Sequence, residues 1–337
     1  MISSLRMPLD RRSFLLGLAS AAAAGILSRR ALAAAQDLAE PLTIWGIPAS
    51  PSAVFARAVA SGALETVAPG ARFDVWKSTD QMRAGIATGD FKLFATSTYA
   101  AANFFNRGAG TRMVNVVTWG VLYVMARDQS ITKIEDLAGK HVLLSNKNEA
   151  PDLIFRLVLK WSGIDPDKDV TLDYVGSPNE AVPLYLSGRG DVAVLHEPAA
   201  TAALIKAKQT GMPLFRAFDV TEVYGRHTGR GPKIPQVGLA VSEAFLDAHP
   251  EVVEAAHAAC VAAGDWVLAN PEQAGALSAE TLGLPAPVIA KSLPFVHIDV
   301  KTAKESREDI ELYFDYLMSI DPGIVGGRKP DPAFYWG

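Results

Sequence analysis

The sequence predicts an α/β protein of two lobes, each a mostly parallel sheet flanked by helices, with two crossing strands as the hinge. Three observations predict it. From Leu42 onward, short apolar runs alternate with segments whose apolar residues recur at helical spacing, the rhythm of βαβ units. Two apolar stretches, Met113 to Arg127 and Ile234 to Val241, have no polar helix inside them and read as passages from one lobe to the other. One order of helix, glycine turn and strand occurs twice, at Gly85 to Phe94 and at Tyr185 to Ala193.

Taken in order, Leu42 to Ile47 is a buried strand stopped by Pro48, and Val54, Ala58 and Leu64 mark a helical segment behind it. Arg72 to Trp76 is a strand, Asp80 to Ala87 a helix, and Phe91 to Ala95 a strand ending in Thr96-Ser97-Thr98-Tyr99. The first crossing falls at Trp119-Gly120. A short helix and turn at Lys133 to Gly139 lead to a strand at His141 to Leu144, a helix at Ala150 to Ser162 and a strand at Val170 to Val175. The helix from Ser177 to Leu186 then meets Gly188 and Gly190, which permit a sharp reversal into the strand Val192 to Leu195. His196 and Glu197 stand at the carboxyl end of that strand, where open α/β sheets bind ligands, and Pro198 suits the first turn of the next helix. Pro213 to Phe218 adds a strand. Tyr224 to Lys233 loses periodicity and reads as a solvated loop, and from Pro250 the pattern is helical, with Val252, Ala256, Cys260, Ala263 and Val267 on one face. This assigns residues 36–119 and 237–337 to lobe one and 120–236 to lobe two.

Composition agrees with a folded protein outside the cytoplasm. The 337 residues are 49% hydrophobic and 20% charged, enough to bury a large core. Asp10-Arg11-Arg12-Ser13-Phe14-Leu15-Leu16, a mild apolar run to Leu27 and the segment Ala31-Leu32-Ala33-Ala34-Ala35 read as a twin-arginine export signal over residues 1–35, cleaved after Ala33 or Ala35. The apolar run is too short and too rich in alanine and glycine for a membrane anchor. Cleavage after Ala33 removes five arginines and one aspartate, so the net charge of −4 becomes about −8. An acidic chain with no basic stripe excludes nucleic acid as a partner. Cys260, the only cysteine, forms no intramolecular disulfide. The six histidines include no i, i+4 pair with an acidic partner, so neither a metal site nor a cofactor is expected. Arg189-Gly190-Asp191 is explained by its glycine turn.

With these pieces placed, the chain resembles the periplasmic binding proteins of ATP-driven importers that handle aliphatic sulfonates, nitrate, taurine and pyrimidine precursors of thiamine. The resemblance rests on Glu135-Asp136-Leu137-Ala138-Gly139-Lys140-His141-Val142, on Asn179-Glu180-Ala181 before Leu186-Ser187-Gly188, and on Gly190-Asp191-Val192-Ala193 leading to Glu197-Pro198-Ala199. It implies a type II two-lobed clamp, a monomer in the periplasm, that closes on a small ligand and delivers it to an ABC transporter permease in the inner membrane. The family's cleft positions fall on Pro48, Ser97, Thr98, Tyr99, Trp119, Asn146, Asn148, Glu149, His196, Glu197 and Gln236.

Two departures bear on the ligand. Lys92 stands where the family has an acidic residue, which concerns a turn, and His196-Glu197 replaces an aromatic-acidic pair before the proline. A carboxylate in the cleft disfavours a small anion unless Lys147 or helix amino termini offset it. Trp45, Tyr99 and Trp119 could instead sandwich a flat heterocycle, such as a pyrimidine or thiamine precursor, with Glu197 bonding its amino group. The alternative class is an enzyme of the same fold related to thiamine-pyrimidine synthesis; the export signal and the lack of a cysteine-rich, Gly-x-Ser-x-Gly or P-loop motif favour a receptor without catalysis.

Overall fold

The computed structural model describes residue 38 and residues 40–337. The paired arginines and the alanine-rich segment assigned to an export signal lie outside the described residues.

Two sheets organise the chain. Strand β1 (Thr43–Gly46) runs parallel to β2 (Arg72–Val75) and β3 (Leu93–Ser97), with helix α1 (Ser52–Ala60) and helix α2 (Thr79–Thr88) between them. Helix α3 (Thr98–Asn106) follows, then β4 (Thr111–Met113) and β5 (Asn115–Thr118). The chain crosses at Trp119 to Val121 and builds a second sheet. Its elements are β6 (Leu122–Ala126), β7 (His141–Ser145), α4 (Ala150–Trp161), β8 (Thr171–Val175), α5 (Pro178–Leu186), β9 (Val192–His196), α6 (Ala199–Thr210), β10 (Phe215–Asp219) and α7 (Val220–Thr228). It then returns as β11 (Val237–Ser242), α8 (Glu243–Ala248), α9 (Pro250–Ala269), α10 (Pro271–Leu282), α11 (Ala286–Ser292), β12 (Ile298–Thr302) and α12 (Arg307–Met318).

The seven-stranded sheet has the order β12-β5-β11-β3-β1-β2, with β4 also on β11, and the five-stranded sheet the order β10-β6-β9-β7-β8. Each contains three parallel strands with an antiparallel neighbour: β2-β1-β3 then β11, and β8-β7-β9 then β6. The twofold pattern in the sequence is this shared order. Gly89 and Gly190 both turn the chain into β3 and β9 at φ 79, a left-handed conformation that glycine adopts without a Cβ clash. The helices before those turns are capped alike. Ser78 Oγ accepts from the Gln81 N–H at 3.1 Å while Gln81 Oε1 accepts from the Lys77 N–H at 2.7 Å. Ser177 Oγ accepts from the Glu180 N–H at 3.2 Å while Glu180 Oε2 accepts from the Gly176 N–H at 2.9 Å. In both, a serine and a residue three positions on satisfy amide groups that the helix itself cannot.

Helix α9 has the length and apolarity of a membrane span, and its packing explains both: Val252, Ala256, Cys260, Ala263 and Val267 are buried, and the helix lies on α1 and β12. Two elements depart from the sequence reading. Residues 298–302, read as part of a helical region, form β12, whose alternation of Ile298, Val300 and Thr302 with Asp299 and Lys301 suits a strand at a sheet edge. Tyr224 to Thr228, read as loop, continues α7 because Val220, Val223 and Tyr224 bury one face.

The two crossings lie side by side: the Ile234 N–H donates to Trp119 O at 2.7 Å and the Gln236 N–H to Thr118 O at 2.9 Å. A third segment joins them, with the Trp119 N–H donating to His297 O at 2.8 Å and the His297 N–H to Gly120 O at 3.1 Å.

Candidate functional site

The carboxyl ends of β1, β3, β7 and β9 face a cleft between the sheets, so the loops that leave them and the helices that follow form its walls. The cleft holds two adjoining cavities of about 940 and 500 Å³. Pro48, Ser97, Tyr99 and His196 border both, Asn146, Asn148 and Glu149 border the larger, and Gln236 borders the inner one.

Helices α3, α4 and α6 begin at this cleft, and the side chains of their N-cap residues, Ser97, Glu149 and Pro198, make no cap bond; on α6 the Thr201 N–H is taken by Glu197 Oε2 instead. The first amide groups of a helix have no partner inside it, and the aligned peptide dipoles place partial positive charge there. The cleft therefore collects partial positive charge.

The loop between β7 and α4 is held in an unusual shape. Asn146 and Asn148 adopt φ 61 and φ 64, which among non-glycine residues asparagine tolerates best. The shape is fixed from below. Asp152, 1% exposed, accepts from the Asn148 N–H at 2.8 Å and from the Tyr174 hydroxyl at 2.8 Å. Lys147 lies 5.1 Å over the Tyr174 ring and does not border either cavity, so it does not supply the offsetting charge considered for it.

Burial raises the Tyr99 phenol to about 12, with Glu149 of the opposite wall adding to the shift and a hydrogen bond from Ser97 opposing it. At neutral pH Tyr99 is thus a neutral donor. Burial alone pushes His196 down to about 4, and its Nδ1 is buried with no partner among the described residues. Gln236, 8% exposed, likewise has a buried Oε1 without a partner among the described residues. An imidazole and an amide are held neutral at the inner cavity.

Three expected ligand residues have polar groups engaged within the protein. Thr98 is fully buried, and its Oγ1 donates to Pro235 O at 2.6 Å, which ties α3 to the returning crossing. Trp119 is 3% exposed, its Nε1 donating to Asp299 O at 2.6 Å, so the indole is core under the crossing and not a stacking surface. Glu197 borders the inner cavity, but its side chain is 0% exposed. Its Oε1 accepts from Arg216 Nε at 2.9 Å and from Arg216 Nη2, and its Oε2 from the Thr201 N–H at 3.1 Å. The carboxylate is spent inside the lobe, because a buried charge needs a partner more than a ligand does. Trp45 stacks on Phe91 with centroids 4.5 Å apart, which removes it from the aromatic sandwich.

The larger cavity is also bordered by Trp76, Arg83 and Arg107, and the inner one by Lys77, none of them singled out in the sequence. Trp76 and Lys77 directly follow β2, so the strand-end rule that selected Pro48 and Ser97 would have found them. The arginines, on α2 and at the end of α3, carry no such signal. Among the described residues, no group of three His, Cys, Asp or Glu side chains is placed to hold a metal ion.

Comparison with known proteins adds a family and a fold. The family model described as "ABC transporter, phosphonate, periplasmic substrate-binding protein" matches residues 66–269. No curated protein matches the chain by sequence. Among solved structures, an ABC transporter protein from Parabacteroides distasonis is similar with a TM-score of 0.74 at 19% identity, over 87% of this chain and 98% of that one. The periplasmic aliphatic sulphonate binding protein SsuA from Escherichia coli gives 0.65 at 20% identity, over 88% and 99%. The periplasmic nitrate-binding protein NrtA from Synechocystis PCC 6803 gives 0.54 at 14% identity, over 75% and 69%. At these identities the structures establish a shared fold.

Proposed function

The chain belongs to the family of phosphonate-type periplasmic substrate-binding proteins of ABC transporters, and from that premise we propose that it is a receptor for a small organic oxyanion. The oxyanion binds in the interlobe cleft and is handed to an inner-membrane permease. In this reading residues 36–119 with 237–337 and residues 120–236 are the two jaws, and residues 1–35 direct twin-arginine export.

The observation that carries the reading is that three helix amino termini open on one cleft, two of them with no side-chain cap, beside Arg83, Arg107 and a protonated Tyr99. Cationic side chains and partial positive charge around one cleft suit a phosphonate or sulfonate head group. The sulphonate and nitrate named for two structural relatives are oxyanions as well. A cavity of about 940 Å³ with an inner extension of about 500 Å³ has room for an organic tail that nitrate lacks. The heterocycle reading has lost support, since two of its three aromatic walls are engaged elsewhere and Glu197 is already paired.

Binding without catalysis fits the same geometry. A histidine held near 4 is a poor general base at neutral pH and a serviceable neutral hydrogen-bonding group.

The test is a thermal-shift screen of the mature protein against alkylphosphonates, alkylsulfonates, taurine, nitrate and pyrimidine thiamine precursors. Binding raises the melting temperature by mass action, and the expected response is to the phosphonates or sulfonates. Tyr99→Phe should weaken that binding about tenfold, the worth of one hydrogen bond to a charged group, while leaving the fold intact. A response to the heterocycles alone overturns the oxyanion class, and turnover of any of these compounds overturns the receptor.

A further inference from the structure

A third cavity, of about 430 Å³, shares no lining residue with the cleft and lies between α6 and the connection from α11 to β12, bordered by Thr201, Arg216, Lys291 and Phe295. Glu197 stands between the two spaces. It borders the inner cleft cavity, while its buried carboxylate reaches Arg216, which borders the third cavity.

Arg216 belongs to β10 of the second sheet, yet its guanidinium carbon lies 3.5 Å from the centroid of Phe295, in the segment that leads into β12 of the first. That segment is gripped from the second sheet at three points. Arg216 covers the Phe295 ring, the Tyr123 hydroxyl of β6 donates to Phe295 O at 2.9 Å, and Asp219 Oδ2 at the end of β10 meets His297 Nε2 at 2.7 Å. The ring of Tyr123 also meets Phe295 edge-on, centroids 6.0 Å apart at 89°.

The same arginine is committed on its other side. Two of its nitrogens donate to Glu197 Oε1, and Nη2 also donates to Thr201 Oγ1 at 2.6 Å, while Glu197 Oε2 holds the Thr201 N–H at the first turn of α6. A forked, charge-assisted pair of this kind resists rotation far more than a single hydrogen bond. Displacement of Phe295 is therefore passed on to the turn from His196 to Ala199, which borders the inner cavity.

We propose that Arg216 and Glu197 are positioning residues that couple the angle between the lobes to the shape of the ligand wall at His196. The consequence for ligand binding rests on the receptor reading above; the mechanical link does not. Phe295 is the lobe-one end of the link, Arg216 its pivot, and Glu197 the arm that reaches the strand end. Closing the jaws then sets the imidazole and the α6 amino terminus together, and opening them relaxes both.

The test uses Phe295→Ala, since Phe295 is 36% exposed and its loss leaves the buried ion pair intact. Spin labels at Lys208→Cys on α6 and Glu254→Cys on α9, both exposed, report the distance between the lobes; Cys260 is buried. Phe295→Ala should broaden the distance distribution of the ligand-free protein and weaken binding of ethylphosphonate about three- to tenfold, the worth of one cation–π contact. Phe295 borders neither cleft cavity, so a purely structural role predicts no such change in affinity. Arg216→Lys, which keeps the charge but neither lies flat nor forms the fork, should broaden the distribution likewise. An unchanged distribution in Phe295→Ala, wild-type behaviour of Arg216→Lys, or a broadened distribution with wild-type affinity each overturns the coupling. If the wild-type protein binds a sulfonate and not ethylphosphonate, that sulfonate is the probe; if it binds neither class, the oxyanion reading falls, and the ligand-free distances alone decide the link.

Discussion

The ends of β3 and β9 occupy equivalent places in the two sheets and have been put to different uses. At the first, Ser97 and Tyr99 present polar groups to the cleft, and only Thr98 between them is turned inward. At the second, His196 faces the cleft, but the charged residue beside it has swung back to pair with Arg216. A polar residue at a strand end becomes available to a ligand only where nothing inside the lobe competes for it. In the second sheet Arg216 stands behind Glu197 and takes its carboxylate.

The largest break in that comparison comes from Glu197→Ala, which strands the Arg216 guanidinium, 15% exposed, without its carboxylate. Denaturant unfolding should show a loss of about 3–5 kcal/mol, the usual cost of breaking one side of a buried pair. A loss below 1 kcal/mol would mean that the pair is not buried in solution.

Next in size is the acid limb of stability. The unfolded His196 takes up its proton near its ordinary value of 6.5 and the folded one only near 4. Stability from this group is therefore fully present above about pH 6.5 and lost as pH falls through about 4, by up to about 3 kcal/mol. Glu197 works in the opposite sense, since burial raises its carboxyl against the pull of Arg216, so its contribution is present at acid pH and lost as pH rises. His196→Phe should flatten the stability profile between pH 6.5 and 4, as followed by urea midpoints. An unaltered profile would show the imidazole to be hydrated.

The smallest effect separates two serines that both precede helices in the first lobe. Ser78 caps α2, and Ser78→Ala should cost about 1 kcal/mol of stability. Ser97 makes no cap bond to α3, so Ser97→Ala should leave stability within about 0.5 kcal/mol of wild type. It should instead lower affinity for the bound oxyanion a few-fold, as read by calorimetry. Equal stability losses in the two variants would erase the distinction between a capping and a ligand-facing serine.

The α/β class, the order of elements through β10 apart from the short β4, and the glycine turns before β3 and β9 were legible because each rests on local chemistry: an apolar run, a helical period, a residue that tolerates positive φ. The cleft was legible as a set of strand ends. What the sequence did not disclose is which of those ends are free. Trp119 finds its hydrogen-bond acceptor 180 residues away at Asp299, and Thr98 finds its own 137 residues away at Pro235. The partner of Glu197 is only 19 residues on, but on a strand that joins it through the sheet and not along the chain. Arg83 and Arg107 were invisible for the complementary reason: a helix-face arginine looks the same whether it faces solvent or a cleft. Strand β12 was missed because its five residues sit between helices, with charges at every second place.

The position of β11 has a consequence for how the protein is made. This strand is the neighbour of β3, β4 and β5 in the first sheet, yet in the chain it follows every strand of the second. Until residue 237 leaves the ribosome, β3 and β5 have no strand between them, whereas the five strands from 122 to 219 can already pair among themselves. At synthesis rates of roughly 5–20 residues per second the first sheet waits on the order of ten seconds for its centre. The sheet begun first is therefore the last to receive its central strand.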